Sequence, residues 1–400
     1  MSEEELQSSE SQAQPMWRIV LVQFLEHKAG VVGICLIAAL ALIALFAPVF
    51  SAILDQAPNV SSIQNRYLAP FEKPATVAMD MEVEVENFIE ENEDALEALA
   101  DRILQSDILS SSEVREAGGD PEEVLFILME KRNEEGVREK VSNNDLSDFE
   151  SVIYPPKTAG RPHILGTDEV GRDILIRLIY GTRISLTVGL SVAILSGLIG
   201  LLIGSMAGYY GGILDGTLMR VTDSMLALPL IPVLIILAAI DFNSLPLIGG
   251  FFTGGSSESV AKIIVILCSF SWMTAARLVR GSVLTVRNRE YVLAAKTMGA
   301  RDFRMILQHI TPNVVAPLLV AITLGVGNAI LFESALSFLG LGIQPPIASW
   351  GNMLTNAQEL IHEAPLLAIL PGSLIFIVVI CFNFVGDALQ GAIDPKSIKR

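Results

Sequence analysis

Cysteine and histidine are nearly missing from this chain, with three of one and four of the other in 400 residues. Cys35, Cys268 and Cys381 each lie inside an apolar run, so no disulfide framework is available to hold a secreted fold together. No apolar run holds a second histidine close enough to share a metal ion, and His163 reads as a packing or capping residue. The chain also lacks a GxxxxGK[ST] phosphate loop and an HExxH pair, so it is expected to carry no catalytic residues, no metal and no cofactor. Charge is scarce at 18% of residues, and the net charge of -17 argues against nucleic acid as a partner. That acidity is concentrated, since residues 55–161 hold 25 acidic and 10 basic side chains while the remainder is close to neutral.

What the chain has in quantity is hydrocarbon: 51% hydrophobic residues and a mean hydropathy of +0.52, a composition that belongs in a lipid bilayer. A hydrocarbon core about 30 Å thick takes roughly 20 apolar residues as a helix. Six runs meet or approach that length: 29–50, 184–214, 224–240, a shorter one ending near Ala276, 313–332 and 364–386. The fourth is bracketed by Lys262 and Arg277, which can snorkel. The first is too long for a signal-peptide core and is expected to remain as a span. The densest basic cluster in a short loop is 287–304, with five Lys or Arg. Placing it in the cytoplasm puts both termini there too, including Lys396, Lys399 and Arg400.

Between the first two spans lies an acidic segment with helical spacing of Val85, Phe88, Ile89, Leu96, Leu99 and Ile103, and again of Val124, Leu125 and Leu128. About 100 residues suffice for a small helical domain, and its carboxylates read as a solvated surface. After it, 174–183 is amphipathic and suits a helix lying at the outer interface. Gly200, Gly204 and Gly208 repeat at the spacing that lets membrane helices approach closely. Pro229 and Pro232 remove backbone bonds in the middle of the third span, which is compatible with a substrate path. Asp223 and Glu333 read as charges at span edges, with Glu333 opening an outer loop.

The stretch YVLAAKTMGARDFRMILQHITPN, beginning at Tyr291, departs from this pattern. It reads as two short helices joined at Gly299, which can take the left-handed conformation that ends a helix. Asp302 favours the dipole of the second helix, and Pro312 is expected to stop that helix before the fifth span. Ala294 and Ala295 make the first helix smooth enough to be gripped in a partner's groove, with basic residues steering an acidic partner.

The spacing AA-x3-G-x12-P, starting at Ala294, resembles the coupling loop of ABC-importer permeases. HITPN, beginning at His309, resembles the dipeptide/oligopeptide branch of that family. HKAGVVG, HILGTDEVGRD, GYYGGILDGTLMRVTD, ESALSFLGLGIQPPIASWGNML and FNFVGDALQGAIDP are similar to blocks of its C-type subunit and occur in order. The resemblance implies an all-α membrane protein with six transmembrane helices of the type I importer permease fold. The expected divisions are a cytoplasmic tail 1–28, a first span 29–50, an acidic extracytoplasmic helical insert 51–162, a permease core 163–386 with the coupling loop 287–312, and a tail 387–400. It further implies a second permease subunit, two cytoplasmic ATPases, an extracytoplasmic substrate-binding protein and a peptide substrate, in a cell or inner membrane. By position, Ala294, Ala295, Gly299, Arg301, Asp302 and Phe303 would meet the ATPase. Leu293 stands where the family often has glutamate, and the insert is longer than the family's usual loop. Nickel or another small solute is the alternative cargo; a membrane scaffold or sensor acting through the insert is the alternative class.

Overall fold

The computed structural model describes residues 16–54, 56–59, 65–72, 162–240, 258–355, 361–362 and 364–393, with a few single positions between 103 and 128. The chain divides into two compact units, Met1–Ser61 with Arg172–Arg400, and Ser62–Gly171. The described part of the first is helical: α1 (Met16–Glu26), α2 (Lys28–Leu45), α3 (Ala47–Leu54), α4 (Ile174–Tyr210), α5 (Gly212–Leu226), α6 (Leu230–Ala239), α7 (Glu258–Val286), α8 (Glu290–Thr297), α9 (Asp302–Phe338) and α10 (Leu366–Ile393). Five of these are long and apolar enough to cross a membrane, and six spans result if α5 and α6 count as one bent pair.

Three spans differ from the sequence reading. The 174–183 segment is not a separate interfacial helix but the first turns of the 37-residue α4, started by Asp173, whose carboxylate accepts from the Ile176 amide at 2.7 Å. Its arginines do not break the helix, because Arg177 is buried and donates to the Pro58 carbonyl at 3.2 Å. Pro229 and Pro232 are not in mid-helix. The chain turns by 86° between α5 and α6, with Pro229 at the N-cap of α6 and Pro232 in its first turn, where backbone amides have no intrahelical acceptor to lose. Pro312 does not stop a helix either. A π-helical turn, Met305–Ile310, widens the backbone just ahead of it, and α9 runs on through Pro312 and Pro317 to Phe338.

The bundle is organised around α4, which packs along α7 and α9, while α10 lies against α9 and α2. Glycines make the α4–α7 seam possible. A Cβ on Gly200, Gly204 or Gly208 would lie 2.6 Å from Ala275 Cβ, 2.5 Å from the Ala276 carbonyl oxygen or 2.7 Å from Val283 Cβ. Lipid tails are as apolar as these side chains, so close backbone approach and dispersion hold the helices together where hydrophobic burial cannot. Gly30 and Gly33 play the same part for α2, facing Ala388 Cβ and the Cys381 carbonyl of α10.

Two arginines of α7 fasten α5. Arg280 donates to both oxygens of Asp215, at 2.5 and 2.7 Å, and Arg277 Nε donates to Asp223 at 2.9 Å. Asp223 is thus half of an ion pair that links two helices. Bidentate geometry makes the Arg280 pair specific. Arg280→Lys, which keeps the charge but loses the fork, is expected to lower the unfolding temperature of the detergent-solubilised protein by a few degrees, consistent with about 1 kcal/mol. An unchanged melting curve would show the pair to be dispensable.

The second unit shows a small paired frame. Phe71 N donates to the His163 carbonyl and His163 N to the Glu72 carbonyl, while Thr167 N donates to the Leu68 carbonyl. His163 thus holds this frame through its backbone. Gly166, at φ +81°, leaves no room for a side chain, since a Cβ would lie 2.1 Å from the Leu68 carbonyl oxygen. Ile103, Val124 and Leu128 are fully buried. The other apolar positions expected to form helices there, including Val85, Phe88, Leu96, Leu99 and Leu125, lie outside the described residues.

Candidate coupling surface

The basic stretch folds as a short helix seated on the end of the bundle. Glu290 lies in the first turn of α8 and Lys296 in the last, each complementing the helix dipole. At the far end the Ala300 amide donates to the Ala295 carbonyl and the Gly299 amide to the Lys296 carbonyl, with Gly299 at φ +84°. That pair of bonds is a Schellman termination, which needs a left-handed residue at the glycine position. Gly299→Pro, restricted to φ near -65°, cannot make this turn. Under the coupling role that the resemblance implies, the variant is expected to abolish uptake while the protein still reaches the membrane, as judged by membrane-fraction immunoblot and transport assay.

One face of α8 is anchored. Val292 and Ala295 are buried in an apolar cluster with Val279, Val283 and Val286 of α7 and Met305, Ile310 and Val314 of α9. The two alanines therefore have different positions: Ala294 is exposed, and Ala295 lies underneath as packing. Ala295 was expected at the contact surface and is instead unavailable to a partner in this structure, because the helix phase that buries Val292 carries it inward as well. The outer face is apolar and open. Tyr291, Leu293 and Leu307 are roughly half exposed, and Met298 and Phe303 reach 81% and 74%. Gly299, Arg301 and Asp302 border them and are exposed. Leu293, in place of a carboxylate, extends this apolar patch. Tyr291, Met298 and Leu307 were absent from the sequence-derived set, since nothing in a short basic loop marks an apolar residue as outward-facing.

Polar contacts fix the platform to the bundle. Tyr209 at the end of α4 donates its hydroxyl to Asp302 at 2.7 Å, so the first residue of α9 is bound to α4. Arg287 donates to the carbonyls of Gly208 and Tyr209 at 2.9 and 3.3 Å, satisfying acceptors that the end of α4 leaves without partners. Thus the densest basic cluster is in part structural.

Comparison with known proteins decides the family. Residues 200–399 match the family described as binding-protein-dependent transport system inner membrane component, and residues 15–70 match the N-terminal TM domain of oligopeptide transport permease C. The chain belongs to the binding-protein-dependent transport permease family. The dipeptide transport system permease protein DppC of Haemophilus influenzae is 39% identical over 249 residues, which is 62% of this chain and 79% of that protein. The oligopeptide transport system permease protein OppC of Bacillus subtilis is 40% identical over 246 residues, 62% and 76% of the two chains. The glutathione transport system permease protein GsiD of Pectobacterium atrosepticum is 37% identical over 249 residues, 62% and 77%. The protein is therefore a multi-pass membrane permease of the C type, a transport subunit rather than an enzyme.

The permease carries a second polar cluster that the sequence placed wrongly. Glu333 does not open a loop at a span edge. It lies inside α9, with no exposed surface, because the helix continues to Phe338 and the following loop folds back over it.

Proposed function

We propose that this permease forms half of the translocation path of an ATP-driven importer for di- or oligopeptides. A second permease, two ATPases and a substrate-binding protein complete the assembly. The apolar outer face of α8, with Met298 and Phe303 at its edge, is the observation that carries this reading. A soluble protein gains little from a pair of large apolar side chains held in water, whereas a groove on a partner subunit would bury both. The ATPase is that partner, and α8 with both chain termini faces the cytoplasm.

Movement of the ATPases reaches the pathway through α9. That helix starts beside α8 at Asp302 and continues unbroken through the bundle, so a shift at one end displaces the other. The insert 51–162 is proposed to add an extracytoplasmic docking surface for the binding protein. Peptide cargo is supported by the dipeptide, oligopeptide and glutathione systems to which the similar permeases belong.

Uptake of a labelled peptide by inverted and right-side-out vesicles tests the reading, with companions of the purified permease identified by mass spectrometry. ATP-dependent, peptide-competed transport and co-purified ATPases are expected. Nickel uptake unaffected by peptides would sink the cargo assignment. Reaction of a cysteine at position 298 with an impermeant reagent outside intact cells would reverse the orientation and end the coupling assignment.

A further inference from the structure

Glu333 is the most deeply buried carboxyl in the described part of the bundle, and its hydrogen-bond donors among the described residues are serine hydroxyls. Ser337 and Ser349 donate to Oε1 at 2.8 and 3.0 Å, and Ser185 and Ser334 to Oε2, both at 3.4 Å. Those serines come from three places: α4, α9 itself and the loop that follows α9. A carboxyl in apolar surroundings is costly, and an aliphatic residue of similar volume would pack at least as well. Stability alone does not explain it.

Geometry does. Three of the four hydroxyls each accept one amide of the loop: Ser337 from Ile343 at 3.1 Å, Ser185 from Trp350 at 3.2 Å and Ser349 from Asn352 at 3.1 Å. A hydroxyl has one proton and two lone pairs. Committing each proton to Glu333 turns the lone pairs toward the loop, so one side chain orients every hydroxyl that holds it. The loop is then fixed further. Trp350 is fully buried, Asn352 donates to the Ile343 carbonyl and Gln344 donates to the Gly340 and Gly342 carbonyls. Gly351 is pressed so closely on α9 that a Cβ would lie 2.6 Å from Ser334 Cα. Above these anchors Gln344, Pro345 and Pro346 form an exposed crest. The crest is at the end of the bundle remote from α8, since the rise of α4 separates Ser185 from Tyr209 by roughly 36 Å.

We propose that Glu333 is a positioning residue that holds the loop 339–355 as a preorganised receiving surface for the substrate-binding protein. The proposal rests on the importer function given above. A surface ordered in advance spares the ordering entropy that a mobile loop loses on docking, so its removal weakens docking more than turnover.

The test uses the complete importer in proteoliposomes, with peptide uptake measured against the concentration of its purified binding protein. Glu333→Leu leaves the hydroxyls without an acceptor and is expected to raise the half-saturating concentration about ten-fold or more, with the maximal rate within about two-fold of wild type. Glu333→Gln keeps an acceptor toward Ser337 and Ser349 and is expected to stay within about two-fold in both quantities. Gly351→Ala keeps the carboxyl but adds a Cβ that would lie 2.6 Å from Ser334 Cα and 3.2 Å from Glu333 Oε1, which pushes the loop off α9, and it is expected to raise half-saturation by about three-fold or more. A Leu variant with wild-type half-saturation, a loss confined to the maximal rate, or a Gln variant as impaired as Leu overturns the proposal. Should the Leu variant not reach the membrane, Gly351→Ala decides by the same criteria. A wild-type importer indifferent to its binding protein overturns the parent function as well, and is distinguished by that behaviour.

Discussion

Met298→Asp combined with Phe303→Asp is expected to eliminate ATP-driven uptake while the permease remains in the membrane at its normal level. Both side chains are largely exposed, so neither substitution removes much packing from the bundle. Fully burying such a residue in a partner's groove is worth about 1.5–3 kcal/mol. Losing both, and desolvating two carboxylates instead, would weaken the ATPase contact by about 5 kcal/mol or more, several thousand-fold in affinity. The measurement is co-purification of the ATPase alongside peptide uptake. Normal ATPase recovery with normal uptake would remove α8 from the coupling role. Loss of the permease itself would show that these residues are structural, contrary to their exposure. Mutating Arg301 or Lys296 to alanine should have a smaller, salt-sensitive effect, because rim charges steer association more than they hold it.

The second large effect belongs to the α4–α7 seam. Gly204→Leu is expected to prevent accumulation of the folded permease. The new Cβ would lie 2.5 Å from a backbone oxygen, and the next contacts are Val279 carbons at 2.8 and 2.9 Å, so no side-chain rotation relieves the clash. The helices must part, and with them goes the dispersion contact of the whole seam. Overpacking of this kind costs about 1–3 kcal/mol for a methyl group and more for leucine. Gly216→Ala is the control, since a Cβ there meets nothing within 4 Å. It should be neutral or slightly stabilising, because alanine is favoured over glycine in a helix by about 1 kcal/mol. Membrane abundance and thermal unfolding of both variants give the comparison. Equal behaviour of the two would show that the seam tolerates expansion.

These two predictions draw on the sequence to different degrees. Three glycines four residues apart share one face of any helix, so the existence of a small-residue face needs only the sequence. Which helix meets that face needs the fold, since Ala275 and Val283 are about seventy-five residues away along the chain. The same holds at α8. Adjacent alanines are indistinguishable as letters, and only the packing of Val292 against α7 and α9 decides that Ala294 faces out and Ala295 in.

Run length and charge along the chain suffice to make this a helical membrane protein, because a bilayer admits few solutions to the backbone hydrogen-bond problem and long uncharged runs announce the helical one. The sequence also placed a turn at Gly299, where the requirement for a left-handed residue is local. Tertiary structure alone decided where helices continue and where they break, carrying α4 back to Ile174 and α9 across Pro312 while bending the chain before Pro229. It alone placed Glu333 in the interior, for two of that carboxyl's four hydrogen-bond donors come from Ser185 and Ser349, 148 and 16 residues distant. Hydrophobic length and turn chemistry act between neighbours in the chain; the environment of a buried polar group is assembled from segments that meet only on folding.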